Sequence, residues 1–430
     1  MSLSPDRTQL PAFHPVTKIH LPQAERKTLS NGIPVFLLDA GSQELVKIEF
    51  LFTAGIRHQT QSLVAVGVND MLDEGTHTRN AESIAEELDY YGAFIETEAS
   101  HDNASFTLFS LNKHLPSTLP VVQDILRNAA FPEKEFNIYL SNKKQKFLVD
   151  SEKVSFLARR RFSELIFGAT HPYGKKAELA DFDLLSRNAL QQFFSDRYIA
   201  SDCTIIVSGK LPKNILQQLD ALFGKESWGK ELPVETGFPQ PLSEKERIQT
   251  IEKKGALQSA IRMGRLLFNK EHPEYLGMQV LNTVLGGYFG SRLMSNIRED
   301  KGYTYGIGSG VVSMHKAGYF VISTEVGVDV TNAALKEIYF EIEKLQNDLI
   351  PAGELDLVRN YLSGVFLRST DGPFAQADRL KGLLGYDLGY DYYDRYLETI
   401  RTITPQHLRQ LAQDYLKKED LVELVVGGRK

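Results

Sequence analysis

The sequence predicts an α+β protein made of two homologous α/β sandwich domains, each a mostly antiparallel sheet with helices packed on it. Three observations carry this expectation. Apolar residues alternate with a period of two along short runs, as in Leu45–Phe52. They recur every three or four positions along others, as in Leu63–Thr76. The order strands, helices, strands, helices then repeats in the second half with matching landmarks.

In chain order, residues 1–30 are polar and proline-containing and read as a surface arm. Asn31-Gly32 signals a turn before the strand Pro34–Leu38. Leu45–Phe52 places Val46, Ile48, Phe50 and Phe52 on one face and Lys47 and Glu49 on the other, the pattern of a half-buried strand. Leu63–Thr76 reads as a largely buried helix on Val64, Val68 and Leu72, interrupted by Asn69 and Asp70 and stopped by Gly75. Asn80 caps a helix carrying Ile84, Leu88 and Tyr91, which Gly92 closes. Strands follow at Ala93–Thr97 and Ala104–Leu111. Helical patterns cover Leu119–Leu126 and, after Phe131-Pro132, one long segment from Lys134 to about Ile166.

The helix Asn188–Tyr198 leads into the strand Cys203–Ser208 and Gly209, just as Gln406–Tyr415 leads into Leu421–Val426 and Gly427. Phe131-Pro132 with Glu135 matches Ile350-Pro351 with Glu354, and Gly92 matches Gly302, all at a near-constant separation. The aperiodic, charged stretch 225–248, which holds Trp228, divides the chain into domains 1–224 and 249–430. Two such halves enclose a shared space, and sites favour such clefts.

Composition narrows the function. Lys plus Arg total 49 against 55 Asp plus Glu, a net charge of −6 with no basic face, which disfavours nucleic acid. The single cysteine, Cys203, excludes disulfides and thiolate metal clusters within one chain. No apolar run approaches the ~20 residues of a membrane span, and Met1–Arg7 lacks an apolar leader core, so a cytoplasmic, membrane-free protein is expected. No two of the ten histidines stand three or four positions apart, so no helix face presents an H-x-x-x-H zinc pair. His101-Asp102 reads as a polar turn. Ser309 has Ile307 and Val311 where a nucleophile elbow needs glycines, and Gly306–Gly310 lacks the Lys-Ser/Thr of a phosphate loop.

The segment Leu293–Gly306 reads as a helix ending at Gly302 followed by a strand. By the ordinary reading Arg298 complements the helix C-terminus and Tyr305 is a strand tyrosine. Brought to one cleft, an arginine and a phenol hold or polarise a peptide carbonyl.

Taken in order, Leu29–Val35, Met71-Leu72, Gly75-Thr76, Ser83–Leu88 with Gly92-Ala93, and His171-Pro172-Tyr173-Gly174 carry a resemblance. In the second half Leu285-Gly286-Gly287, Ser291-Arg292-Leu293, Ile297-Arg298-Glu299 and Gly302–Tyr305 extend it. The chain resembles the insulinase-like M16 (M16B, pitrilysin-type) metallopeptidases over nearly its whole length. The resemblance implies a clam-like half chamber. It also implies an H-x-x-E-H helix whose histidines bind zinc and whose glutamate activates water.

Counted back from Gly75-Thr76, those three positions are Val66, Asn69 and Asp70, and the family's third ligand falls near Gln145-Lys146. Valine has no lone pair for zinc, asparagine is not a base and neither Gln145 nor Lys146 is a carboxylate, so no cofactor is expected in this chain. The family's arginine–tyrosine pair, which contacts substrate, matches Arg298 and Tyr305. The chain lacks the long glycine-rich loop of the processing peptidase α subunit.

The resemblance therefore implies a non-catalytic subunit, inactive as a peptidase by itself. Its heterodimer partner would carry H-x-x-E-H and zinc, while this chain supplies Arg298 and Tyr305 to bind peptide. The alternative is a proteolytically inactive structural or peptide-binding homodimer.

Overall fold

The computed structural model describes Thr8 and residues 21–230, 237–241, 246–386 and 388–429. The first half builds a six-stranded sheet from β1 (Glu25–Thr28), β2 (Pro34–Asp39), β3 (Leu45–Phe52), β4 (Phe94–Ala99), β5 (Ala104–Leu111) and β6 (Thr204–Gly209). The second half builds a five-stranded sheet from β7 (Ile248–Glu252), β8 (Gln258–Leu267), β9 (Ile307–Met314), β10 (Ala317–Gly327) and β11 (Val422–Gly427).

The orders are β1-β2-β6-β3-β5-β4 and β7-β11-β8-β10-β9. Removing β1 makes them congruent. In each half the strand from its far end slots between the first two, parallel to the first and antiparallel to the second. The matched landmarks share their backbone conformations. Gly209 and Gly427 have φ +125 and +138, where a Cβ would strike the Leu45 or the Gln258 carbonyl. Gly92 and Gly302 have φ +62 and +66, and Pro132 and Pro351 each open a long helix.

Helices of the first half are α1 (Val64–Asp70), α2 (Ala81–Tyr90), α3 (Leu115–Asn128), α4 (Glu133–Ser151), α5 (Val154–Phe167), α6 (Leu179–Leu184), α7 (Arg187–Arg197) and α8 (Ile215–Leu219). Those of the second are α9 (Tyr275–Asn282), α10 (Thr331–Asn347), α11 (Ala352–Arg368), α12 (Pro373–Leu384), α13 (Asp391–Thr402) and α14 (Pro405–Tyr415). The β3 face bearing Val46, Ile48, Phe50 and Phe52 packs in one core with Val64 and Val68 of α1, Leu72 just after it, and Ile125 of α3. In the second half Ile261, Met263, Phe320 and Ile322 share a core with Val280, Ile338 and Leu408. None of the described helices is long and apolar enough to cross a membrane.

Each sheet's other face is covered by a helix from the opposite half. Ala158, Phe162 and Leu165 of α5 bury against Ala260, Leu424 and Val426 of the second sheet. Ala377 and Leu380 of α12 bury against Leu38, Leu51 and Ile206 of the first. A fully buried phenylalanine such as Phe162 contributes roughly 1.5–3 kcal/mol, so this exchange binds the halves together.

It also corrects the expectation for β3. Lys47 and Glu49 are only 8% and 2% exposed because α12 lies over them and offers Asp378 and Lys381 as partners. The expected single helix from Lys134 breaks at Glu152-Lys153, which lets α5 turn across to the second sheet.

Four further expectations shift. Residues 25–28 pair with β2 as an edge strand, although they read as part of an arm; residues 1–7 and 9–20 lie outside the described residues. α1 ends at Asp70, before Gly75, because the following turn must bring Gly75 into a bridge with Asn80. In the 225–248 stretch, of which 231–236 and 242–245 lie outside the described residues, Trp228 donates to the Tyr198 carbonyl at 2.9 Å and Phe238 packs on His171 and Tyr173. Ile248 already begins β7. Finally, the His101-Asp102 turn is a clasp between halves. Asp102, 5% exposed, accepts from Arg57 at 2.8 Å, the Tyr173 hydroxyl at 2.5 Å and the His315 main-chain N–H at 3.0 Å. Burial pushes the Tyr173 phenol pKa up, and the Asp102 carboxylate beside it adds to the shift.

Candidate functional site

α1 starts abruptly: Leu63 stands at φ +73, and the main chain then turns helical beneath the first sheet. Val66 of α1 looks outward, onto a cavity of about 200 Å³ walled by Leu140 and Phe147 of α4, Phe156 of α5, and Phe182 and Leu185. Lys143, Lys146 and Asp150 stand on the same cavity, so the positions counted from the sequence, Val66 and Lys146, do meet. Gln145 is exposed beside them.

The chemistry of these side chains does not fit zinc, which takes imidazole, thiolate or carboxylate ligands. Val66 has no lone pair and Lys146 is a cation. Asn69, 1% exposed, turns into the core, where its amide donates to the Ser105 carbonyl at 3.2 Å and the Tyr198 hydroxyl at 3.3 Å. Asp70, the one carboxylate among the positions counted from the family motif, is taken by Lys143 at 2.7 Å and by the Tyr139 hydroxyl at 3.1 Å. Burial raises the Tyr139 phenol pKa far above its ordinary value, and the Asp70 charge adds to this, so Tyr139 stays a donor to Asp70.

The second segment is held differently from the expectation. Met294–Asp300 forms a π-helical turn that Gly302 reverses at φ +66, and β9 begins only at Ile307. Tyr305 therefore sits in the loop before the strand, 96% exposed, and not within the strand. That loop is pinned on both sides. Thr304 Oγ1 donates to the Glu325 carbonyl at 2.7 Å, and Thr324 Oγ1 donates to the Gly306 carbonyl at 2.9 Å.

Arg298 reaches the same loop. Its Nε donates to the Tyr305 carbonyl at 3.1 Å, and its guanidinium lies over the Phe289 ring at 4.6 Å. The structure thus joins Arg298 to the main chain of Tyr305 and leaves the phenol outward. Tyr305 lines a cavity of about 420 Å³ with Ser155, Arg262, Ser323 and Thr324.

The two places are neighbours through α5. In its first turn Phe156 walls the Val66 cavity while the adjacent Ser155 walls the Tyr305 cavity. Sequence reasoning missed Ser155, Arg262 and Ser323, because only the exchange of α5 between halves brings them to Tyr305.

The comparisons with known proteins agree with this architecture. Residues 36–164 match the family model described as "Insulinase (Peptidase family M16)", and residues 184–362 match the one described as "Peptidase M16 inactive domain". A Bacillus subtilis protein named "Uncharacterized zinc protease YmxG" is 24% identical over 413 residues, 93% of this chain and 98% of that protein. An uncharacterized zinc protease of Rickettsia bellii is 22% identical over 332 residues, 74% of this chain and 77% of that protein.

Among solved structures, a peptidase M16 inactive domain from Pseudomonas fluorescens superposes with a TM-score of 0.85 at 22% identity, covering 95% of this chain and 99% of that one. A protease from Helicobacter pylori gives 0.84 at 17% identity, covering 94% and 100%. Two matched family models in chain order, on two congruent halves, make this chain a member of the M16 (insulinase) peptidase family, one whose sequence contains no H-x-x-E-H.

Proposed function

We propose that this chain is the zinc-less subunit of a two-chain M16 peptidase and holds the peptide through Arg298 and Tyr305 while an H-x-x-E-H partner cleaves it. The observation that carries the reading is the Tyr305 loop: an almost fully exposed phenol on a main chain that Thr304, Thr324 and Arg298 all fix in place. Among the described residues that phenol makes no hydrogen bond. A positioned phenol and a nearby guanidinium are suited to hold a peptide carbonyl and the charge that develops on its oxygen. The edge of β4 supports a peptide ligand as well. Among the described residues β4 pairs only with β5, leaving a row of main-chain donors and acceptors for an added strand. The cytoplasm is the proposed compartment, in keeping with a single cysteine that is buried and unpaired.

The test mixes the chain with a purified M16 subunit bearing H-x-x-E-H and follows cleavage of a quenched fluorescent peptide. Neither chain alone is expected to turn over substrate at the rate of the pair. Arg298→Ala and Tyr305→Phe are each expected to reduce kcat/KM by on the order of 100-fold. Tyr305→Phe should leave the unfolding midpoint nearly unmoved, since exposed sites typically change stability by less than about 0.5 kcal/mol. Arg298→Ala also frees the Tyr305 carbonyl and the Phe289 ring, so its rate is read beside its own unfolding midpoint. Unchanged turnover in both variants would sink the proposed role. A stable self-dimer inert with every such partner would assign the chain to scaffolding.

A further inference from the structure

Arg262 stands on the outer face of β8, paired across to Ser323 of β10 and facing α5. Its guanidinium lies 6.0 Å from the centre of the Phe162 ring, half-buried, and among the described residues it has neither a hydrogen-bond acceptor nor an ion-pair partner. A partly desolvated charge without a partner is costly, and proteins rarely leave one in place without a use. Burial pulls its pKa down. Tyr319 and Glu325 nearby oppose the shift and Arg159 reinforces it, and the lowering wins.

The surroundings are rich in donors and poor in acceptors. The hydroxyls of Ser155 and Ser323 line the same cavity of about 420 Å³, and so does the phenol of Tyr305. None of the three makes a side-chain hydrogen bond among the described residues. The hydroxyls of Thr304 and Thr324, by contrast, are spent on pinning the loop. Glu325 is the one carboxylate on the cavity, and it is exposed at the rim. Arg159, one turn along α5 from Ser155, adds a second positive charge nearby.

We propose that Arg262, Ser155 and Ser323 form a carboxylate-binding subsite beside Tyr305, which takes an acidic side chain or the C-terminal carboxylate of the bound peptide. The inference rests on the reading that peptide binds at Tyr305, and it adds a specificity to that site. A guanidinium offers two parallel N–H donors to one carboxylate, and two hydroxyls can serve its remaining lone pairs. Because the arginine is unpaired beforehand, the peptide carboxylate displaces no internal partner, so the interaction counts almost wholly toward binding.

The test uses three fluorescein-labelled peptides of one parent sequence: internal Glu with an amidated end, internal Gln with an amidated end, and internal Gln with a free acid end. The Glu position is scanned along the sequence. Fluorescence anisotropy is read against the full chain, Arg262→Met and Arg298→Ala. Methionine keeps an apolar stem on Phe162, and matched unfolding midpoints verify the fold of each variant.

The intact chain is expected to bind a Glu peptide or the free-acid peptide about tenfold tighter than the amidated Gln peptide. Whichever of the two gains identifies the carboxylate's source. In Arg262→Met the three affinities should fall within twofold of one another. Equal binding of all three by the intact chain overturns the subsite, as does a preference that survives Arg262→Met.

Arg298→Ala separates the two readings. If it weakens all three peptides while no carboxylate preference exists, peptide holding at Tyr305 stands and the subsite falls. If it changes nothing while Arg262→Met erases a preference, the subsite stands and the role of Arg298 falls. Absence of binding by any peptide overturns both.

Discussion

Lys381 of α12 donates to the Glu49 carboxylate of β3 at 2.8 Å, and the two residues belong to opposite halves of the chain. A second cross-half pair, Lys47 with Asp378 at 2.6 Å, lies beside it. The exchanged helix is therefore held by charge as well as by Ala377 and Leu380.

Lys381→Met should leave Glu49 buried with only Lys47 nearby, at 3.4 Å, and lower stability by on the order of 3 kcal/mol in urea unfolding. The double variant Lys381→Met with Glu49→Gln should recover much of that loss. Burial by itself would lower the Lys381 pKa, but Glu49 and Glu98 outweigh it and the net shift is upward. The pair's contribution is therefore complete below the ordinary lysine value of about 10.4 and is lost as pH rises through the higher folded value. A flat alkaline limb identical in wild type and Lys381→Met would refute this.

Asp102→Ala removes the common acceptor of Arg57, Tyr173 and the His315 main chain. It takes a carboxylate away from the buried Arg57 guanidinium, so a loss of about 3–5 kcal/mol is expected. Hydrogen exchange should localise the damage. The His315 amide, bonded to Asp102 across the halves, should lose protection before the amides of β3 do.

Asp124 ties the α2 entry to α3. It accepts from Thr76 at 2.6 Å, Thr78 at 2.7 Å and Arg79 at 2.8 Å on one oxygen, and from Asn128 at 2.8 Å on the other. Burial by itself would raise its pKa, but these bonds together hold it down at about 2. The folded value lies below the unfolded value of about 3.9. The stabilisation is thus present above about pH 4 and lost as pH falls through about 2. Asp124→Asn should cost about 1.5–3 kcal/mol at neutral pH and flatten the acid limb of the unfolding curve between pH 4 and 2.

Because Val66 and Lys146 share one cavity, four substitutions should suffice to rebuild a metal site: Val66→His, Asn69→Glu, Asp70→His and Lys146→Glu. Elemental analysis should find about one zinc per chain in this variant. The same chain with Lys146 left in place should bind zinc much more weakly, since a cation then stands where a carboxylate ligand belongs. Equal zinc content in the two would show that Lys146 is not at the metal position.

Much of the fold was legible in the residues. The alternation of β3 and β5, the Asn80 cap with its bond to Ser83, and the paired glycines 209 and 427 each have a local physical cause that a neighbour-by-neighbour reading detects. Val66 and Asp70 as ligand positions and Asn69 as the base position came only from the resemblance, by counting back from Gly75-Thr76. Arg262 was not legible. Its significance comes from Ser155 and Ser323, far from it in the chain.

The sequence by itself determined the two-domain plan and the family. Periodicity reports which faces need burial, and spacing reports where motifs fall. Only the tertiary structure decided what covers each face. Lys47 and Glu49 look solvent-facing by their period, and they are buried because α12 crosses from the other half. The crossing of α5 likewise sets Ser155 beside Tyr305 and Phe156 beside Val66. A hydrophobic pattern specifies that a surface must leave water, and it does not specify which distant segment will exclude the water from it.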